Sequence, residues 1–193
     1  MLPKSLMAPA PLKNAFPAKP PFSREDVHEF CAAGKLGDLG SLKKLLEKFG
    51  AAILNERDGG GDTALTWAAW TGQKDAAVFL LAQGAAINAP GMQDKTALIW
   101  AAQGGKTEVV DLLLKKGADI NIRDASGQTA LDLCDKNSQL TVAKQIRDWV
   151  ETQDKIAAQK KLEEEARALT AERLARLKEK APKIRIAPKP PGK

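Results

Sequence analysis

The sequence predicts an all-α solenoid of about four helix–turn–helix repeats, because one short motif recurs along the chain at a fixed interval. Thr-Ala-Leu occurs at residues 63–65, 96–98 and 129–131, so each copy begins 33 residues after the one before it. A constant period of about 20 to 50 residues is typical of stacked repeat proteins. Such stacks present an open concave surface, and the pattern therefore favours binding over catalysis.

Each repeat contains the signals for two short helices joined by a tight turn. Thr63 can cap the first helix with its hydroxyl group. Gly72 ends that helix, because glycine adopts a positive φ at little cost. The second helix has apolar residues at helical spacing and ends at Gly84. The apolar residues of the pair are Leu65, Trp67, Ala68, Ala69, Ala76, Ala77, Phe79, Leu80 and Leu81.

The next unit, residues 96–121, repeats this design. Thr-x-Leu, Ala-Ala, Gly, Leu-Leu and Gly-Ala-x-Ile-Asn fall in register in both units. In these motifs the sequence resembles the ankyrin repeat, over roughly residues 27–150. Similar ankyrin proteins begin the first helix of each repeat with Thr-Pro-Leu-His. In this chain alanine replaces the proline, and the helix start is still expected because alanine is the best helix former. The replacements are Ala64, Ala97 and Ala130 for proline and Thr66, Ile99 and Asp132 for histidine.

The two end repeats depart from the pattern, as terminal repeats of a solenoid do. The first runs from about Phe30 to Asp58, and the last begins at Asp124. In the last repeat Cys134-Asp135 replaces the alanine pair, and Ser138 stands at the turn position of glycine. These polar replacements are expected on an outer helix that faces water or a docking partner.

Composition divides the chain into four segments. Residues 1–26 are predicted to be a proline-rich, basic, extended tail, and residues 27–150 the repeat domain. Residues 151–180 predict a long charged helix, and residues 181–193 a second basic, proline-rich tail. The apolar line on that helix is sparse for a heptad pattern, so a solvated rod, a partner-bound helix and a coiled coil all stay open. That line consists of Ile156, Leu162, Leu169 and Leu177.

The net charge of +6 lies in the tails. Residues 1–23 carry three lysines and no acid, and residues 181–193 carry four cations and no acid, so the body is close to neutral. A basic tail can seek phosphate or an acidic protein surface, or it can serve solubility alone. The composition leaves these readings open.

The cysteines and the hydropathy predict the environment of the protein. Cys31 and Cys134 lie about three repeats apart, too far for a disulfide. Reduced cysteines indicate an intracellular, reducing setting, either cytoplasmic or organelle-associated. No apolar run approaches the roughly 20 residues that cross a bilayer, so no transmembrane segment is expected.

The sequence predicts no catalytic residues, no metal site and no cofactor. Gly104-Gly105-Lys106-Thr107 resembles the end of a phosphate-binding loop, but Trp100 occupies the position of the loop's first glycine. His28 is the single histidine and has no spacing partner for catalysis or metal binding. It is expected on the surface near the start of the first helix.

The tryptophans and the hairpin tips are the candidate binding residues. Trp67 and Trp100 share one repeat position beside the alanine pair and are predicted to lie in the core, whereas Trp70 lies on the concave face. The resemblance implies that partners contact the hairpin tips and the inner helices. At those positions stand Asp62, Trp70, Thr71, Met92, Gln93, Lys95, Gln103, Arg123, Gln128 and Lys136.

These observations favour a non-catalytic protein–protein interaction module. On this hypothesis the chain is a scaffold or accessory subunit of a large multiprotein complex, and binds partners through the concave face, the tails and the C-terminal helix. The alternative is an RNA-associated component of a ribosome-like particle that uses its basic tails. RNA binding of that kind would weaken steeply with salt. No small-molecule substrate is expected.

Overall fold

A computed structural model of the protein describes residues 22–180, with side chains as far as residue 177. The two predicted tails therefore lie outside the described residues, except for residues 22–26. Arg24, Glu25 and Asp26 already belong to the first helix, which Ser23 caps. The seven tail cations also lie outside the described part of the chain.

The described residues form helices and turns, and no strand occurs between residues 22 and 180. The all-α prediction is confirmed. The helices are α1 Arg24–Leu36, α2 Leu39–Phe49, α3 Ala64–Thr71, α4 Lys74–Ala82, α5 Ala97–Gln103, α6 Thr107–Lys115, α7 Ala130–Lys136 and α8 Leu140–Lys180. Two short 3-10 helices, Gly50–Ile53 and Met92–Asp94, lie in the connections.

The repeat helices stack in two rows. The first helix of each repeat packs against the first helix of the next, which gives the inner row α1, α3, α5 and α7. The second helices α2, α4 and α6 form an outer row in the same way. Fully buried side chains from both rows, such as Leu65 and Leu98 on inner helices and Leu80 and Leu113 on outer ones, form a continuous core between them.

The predicted threonine caps are all present. The hydroxyl oxygens of Thr63, Thr96 and Thr129 accept hydrogen bonds from backbone N–H groups three residues later. Thr66 and Asp132 complete capping boxes by accepting hydrogen bonds from the cap backbone in return. The usual threonine–histidine pair is thus replaced at two of the three helix starts.

Asparagine side chains join successive repeats at the base of the turns. Asn55 Oδ1 accepts a hydrogen bond from Ala86 N at 2.8 Å, and Asn88 Oδ1 accepts one from Asp119 N at 3.0 Å. Asn55, Asn88 and Asn121 are 33 residues apart. Each bond therefore fixes the spacing between neighbouring repeats.

The long charged helix begins earlier than the sequence predicts. α8 starts at Leu140, eleven residues before the expected boundary, because no glycine or proline interrupts the chain between residues 140 and 180. Its residues up to Ile146 belong to the repeat unit, and residues from Arg147 belong to a second compact unit. Gln145 Nε2 donates to the carbonyl of Thr107 at 3.2 Å within the repeat unit.

In the second unit, the side chains of residues 151–177 are exposed. Two salt bridges, Lys155–Glu151 and Arg176–Glu172, each join residues one helical turn apart with a nitrogen–oxygen distance of 2.6 Å. They support the helix modestly. The apolar line stays uncovered by any described residue, with Leu162 and Leu169 at 61% and 70% exposure. The coiled coil therefore stays a hypothesis.

Candidate protein-binding surface

Three turns, here called finger turns, lead into the inner helices α3, α5 and α7. They span residues 58–62, 91–95 and 124–128, and in each the first N–H donates to the last carbonyl at 2.8–2.9 Å. The first and third turns are also held by their own aspartate. Asp58 Oδ1 accepts from Gly60 N and Asp62 N, and Asp124 Oδ1 accepts from Ser126 N and Gln128 N.

The middle finger turn has Gly91 in place of this aspartate, and a residue of the preceding turn replaces the missing carboxylate. Asp62 Oδ1 accepts a hydrogen bond from Met92 N at 3.1 Å. A Cβ atom at position 91 would collide with that same oxygen. Gly91 and Asp62 are therefore complementary, and together they connect two neighbouring finger turns.

The same carboxylates orient two indole rings. Trp67 Nε1 donates to Asp58 Oδ2 at 2.7 Å, and Trp100 Nε1 donates to Asp62 Oδ1 at 3.1 Å. The prediction that both tryptophans lie in the core is wrong, since each is only half-buried. The reason is the indole N–H, which needs an acceptor and finds it in the finger turns at the edge of the inner row.

Trp67 and Trp100 join Trp70 to line a cavity, here called the tryptophan cavity, of about 370 Å³. The rings of Trp70 and Trp100 pack edge to face, with centroids 5.0 Å apart. This volume is near the lower end of the range for ligand pockets. Gly60, Asp62, Thr66 and Met92 complete the lining.

The polar side chains of Thr66 and Asp62 in the lining are already hydrogen-bonded. Thr66 Oγ1 donates to the carbonyl of Thr63 and accepts from its N–H, both at 2.8 Å. Asp62, only 5% exposed, uses Oδ1 for Trp100 and Met92. The free surface of the cavity is therefore dominated by tryptophan rings and a methionine side chain.

Two lysines lie over the rings that line the cavity. Lys35 Nζ lies 4.5 Å from the ring centroid of Trp67, and Lys95 Nζ lies 4.5 Å from that of Trp100. Lys95 also donates a hydrogen bond to Gln103 Oε1 at 2.9 Å. The surface thus combines an apolar centre with two ammonium groups.

A family model described as ankyrin repeats in three copies matches residues 86–155, and one described as ankyrin repeats in many copies matches residues 28–81. The chain belongs to the ankyrin repeat family. Ankyrin repeats generally mediate protein–protein interactions, so its partners are proteins. A comparison with curated proteins gave no match.

The ankyrin fold places the predicted contact residues in two groups. Five of them lie at or beside the tryptophan cavity: Asp62, Trp70, Met92, Lys95 and Gln103. Trp70 is 37% exposed and Met92 48%, whereas Asp62 and Lys95 are buried. The burial gives Asp62 a structural role in the finger turns. The sequence prediction did not include Trp67, Trp100 and Lys35 among the surface residues. The available signal was Asp58, which lies nine residues before Trp67 and accepts the hydrogen bond of its indole N–H.

The other group lies around the third finger turn. Lys136 Nζ donates to Gln128 Oε1 at 3.5 Å, and Arg123 Nη1 donates to the carbonyl of Gly127 at 2.8 Å. Gln93 is exposed, and its carbonyl accepts from Ala125 N at 2.9 Å. Thr71 belongs to neither group, because it lies at the end of α3 and donates its hydroxyl to the carbonyl of Trp67 within that helix. That any of these residues contacts a partner stays a prediction.

The backbone of the middle finger turn is strained. Gln93 and Asp94 have φ values of 59° and 56°, in the left-handed region. The ankyrin repeats on either side have Gly61 and Gly127 at the position of Asp94, with φ values of 90° and 74°. Side chains adopt this region at a cost that glycine avoids.

Replacing Asp94 by glycine is expected to raise the free energy of unfolding by about 0.5 kcal/mol, because the substitution relieves this strain. Chemical denaturation followed by circular dichroism measures the change. The matched control is Asp75→Gly in the first turn of α4, where the backbone is helical and glycine should destabilise by about 0.5 kcal/mol through lower helix propensity and the loss of an acid near the helix N-terminus. A loss of stability in Asp94→Gly would contradict the proposed strain.

Reactive chemistry is sparse in the described part of the ankyrin domain. Burial raises the pKa of the Cys31 thiol to about 12, so it stays protonated at neutral pH. Neither Cys31 nor Cys134 forms a disulfide. His28 lies exposed on α1, as predicted.

Neither a metal site nor a membrane-spanning helix occurs among residues 22–180. His, Cys, Asp and Glu side chains form no group that could hold a metal ion. None of the helices there combines the length and apolarity needed to cross a membrane. A larger cavity of about 690 Å³, lined by residues including Phe22, Arg24 and Glu56, borders the point where the described chain begins.

Proposed function

We propose that this ankyrin repeat protein is a non-catalytic adaptor whose concave face binds one partner protein at the tryptophan cavity. We further propose that it acts as a structural or accessory subunit of a larger multiprotein complex. The C-terminal helix and the tails would then contact other subunits. Two buried thiols support a reducing compartment, cytoplasmic or organelle-associated.

The observation that carries the proposal is the tryptophan cavity. Tryptophan dominates the energetics of protein interfaces when it is held in a well-packed pocket. Trp70 is 37% exposed although it packs on Trp100, and Met92 beside it is 48% exposed. The finger-turn aspartates hold Trp67 and Trp100 in place, so the surface is organised before a partner arrives.

The uncovered apolar line of α8 favours the role of a subunit. Leu162, Leu169 and Leu177 are each more than half exposed, and a helix this polar gains little from its own packing. A second protein that covers this line would stabilise it. The alternative role, an RNA-associated component of a ribosome-like particle, depends on tail cations outside the described residues.

A photocrosslinking amino acid at two matched positions tests the proposed function. Position 70 lies on the inner row and position 78 on the outer row, and Trp70 and Val78 have similar exposure, 37% and 41%. When the protein is irradiated inside the cells that express it, the photocrosslinking amino acid at position 70 is expected to capture one partner protein. The same amino acid at position 78 is expected to capture none. Trp70→Ala should weaken binding of that partner by at least about tenfold.

Equal crosslinking from both positions would contradict a concave binding face. Treatment with ribonuclease before crosslinking separates the two roles. A partner that is lost after this treatment would favour the RNA-associated particle. A partner that is retained, and that sediments with a larger assembly, would favour the multiprotein complex.

A further inference from the structure

Lys95 is a buried lysine whose positive charge has no acidic partner within the described part of the chain. Only 8% of the residue is exposed, although lysine is rarely buried unless its charge is paired. Its ammonium group contacts the amide oxygen of Gln103 and the ring of Trp100. No carboxylate oxygen of residues 22–177 lies within 4.0 Å of it.

A second ammonium group lies on the other side of Trp70 along the inner row. Lys35 occupies in α1 the position that Trp70 occupies in α3, and it lies over the ring of Trp67. Lys35 is exposed and also lacks a carboxylate within 4.0 Å among the described residues. Neither lysine lines the tryptophan cavity, but each lies over a ring that does: Lys35 of the first repeat over Trp67, and Lys95 of the third repeat over Trp100.

This charge pattern restricts the chemistry of a ligand. A cationic side chain in the cavity would lie near two ammonium groups, and like charges repel. A neutral apolar side chain would fill the cavity but would leave the charge of Lys95 buried and unpaired. A carboxylate beside the apolar group would form charge-assisted hydrogen bonds with the lysines.

We propose that the tryptophan cavity binds a peptide segment of a partner protein in which one large apolar side chain is flanked on both sides by acidic residues. The apolar side chain fills the cavity between Trp67, Trp70 and Trp100. The flanking carboxylates pair with Lys95 on one side and Lys35 on the other. This inference rests on the proposed function and specifies the partner that the concave face accepts.

Selection from a phage-displayed library of random peptides tests the inference. The full chain is the target, and the Trp70→Ala chain removes peptides that bind elsewhere. Enriched peptides are expected to carry a large apolar residue with Asp or Glu on both sides. Synthetic peptides with this core are then titrated by fluorescence anisotropy. Their Kd should rise between about 0.1 M and about 1 M salt, because salt screens the ion pairs.

Three lysine variants probe the contacts. Lys95→Gln is expected to raise the Kd of the selected peptide at least about tenfold, since it removes a buried charge partner. Lys35→Gln, at an exposed position, should raise it about threefold. Lys43→Gln is the matched control, because Lys43 lies over the Phe79 ring in the outer row and should leave the Kd unchanged. Circular dichroism verifies folding, and Lys35→Gln remains informative if Lys95→Gln destabilises the domain.

Two results would overturn the inference. One is enrichment of peptides whose apolar residue has neutral or basic neighbours. The other is the absence of any peptide that prefers the unmodified chain to the Trp70→Ala chain. If either result is obtained while position 70 still crosslinks a partner protein, the proposed function stands. Only the inference that the partner binds through an acidic segment is then rejected.

Discussion

Replacing Asp62 by alanine is expected to lower the free energy of unfolding by about 3 kcal/mol, because a buried carboxylate contributes about 1.5–3 kcal/mol through each hydrogen bond. Asp62 is 5% exposed and accepts hydrogen bonds from Trp100 Nε1 and Met92 N. Without it, the middle finger turn loses the carboxylate that Gly91 cannot supply. Urea denaturation followed by circular dichroism measures the loss.

Two further variants show whether Asp62 acts through Trp100. Asp62→Asn keeps an acceptor and should cost less than half as much as alanine. In a Trp100→Phe background, the cost of Asp62→Ala should shrink by at least about 1 kcal/mol, because the indole donor is already absent. Glu47→Ala, at an exposed position on α2, is the control and should stay within about 0.5 kcal/mol of the unmodified chain. A small effect of Asp62→Ala, near that of the control, would refute the role of this carboxylate.

Replacing Gly34 by alanine is expected to lower the free energy of unfolding by about 2 kcal/mol, although helix propensity alone predicts a gain of about 1 kcal/mol. Gly34 is buried in α1, and a Cβ atom there would lie 2.6 Å from the carbonyl oxygen of Ala64. That oxygen belongs to the backbone of α3 and cannot rotate away, so the two helices must separate. Overpacking of this kind costs about 1–3 kcal/mol.

Whether Gly34→Ala lowers or raises the free energy of unfolding shows whether close helix packing or helix propensity dominates at this position. Gly59→Ala is the matched control, because a Cβ atom at Gly59 has no neighbour within 4 Å and its φ is not in the left-handed region. It should change stability by less than about 0.5 kcal/mol. Thermal unfolding of both variants provides the comparison. A stabilised Gly34→Ala protein would show that α1 and α3 approach less closely than the structure has them.

Local signals explain why the repeat architecture could be predicted from the sequence. A threonine that caps a helix and a glycine that ends one act over three or four residues, and the period of 33 places them in every repeat. Thr63, Thr96 and Thr129 accordingly begin equivalent helices. Ser138 stands at the turn position that glycine occupies in the other repeats, and its φ is 58°. The left-handed turn conformation is therefore kept in the last repeat although glycine is absent.

The tertiary structure decided which residues form the binding surface. Asp62 and Trp100 are 38 residues apart and meet because neighbouring repeats stack. A local reading places Trp67 and Trp100 in the core beside the alanine pair, but their N–H groups draw them to the finger-turn carboxylates. The sequence by itself thus determined the repeat and its helix starts. Only the stacked repeats decided the tryptophan cavity and placed Lys35 over one of its rings, because the contacts of Trp70 with Trp100 and of Lys35 with Trp67 join residues of different repeats.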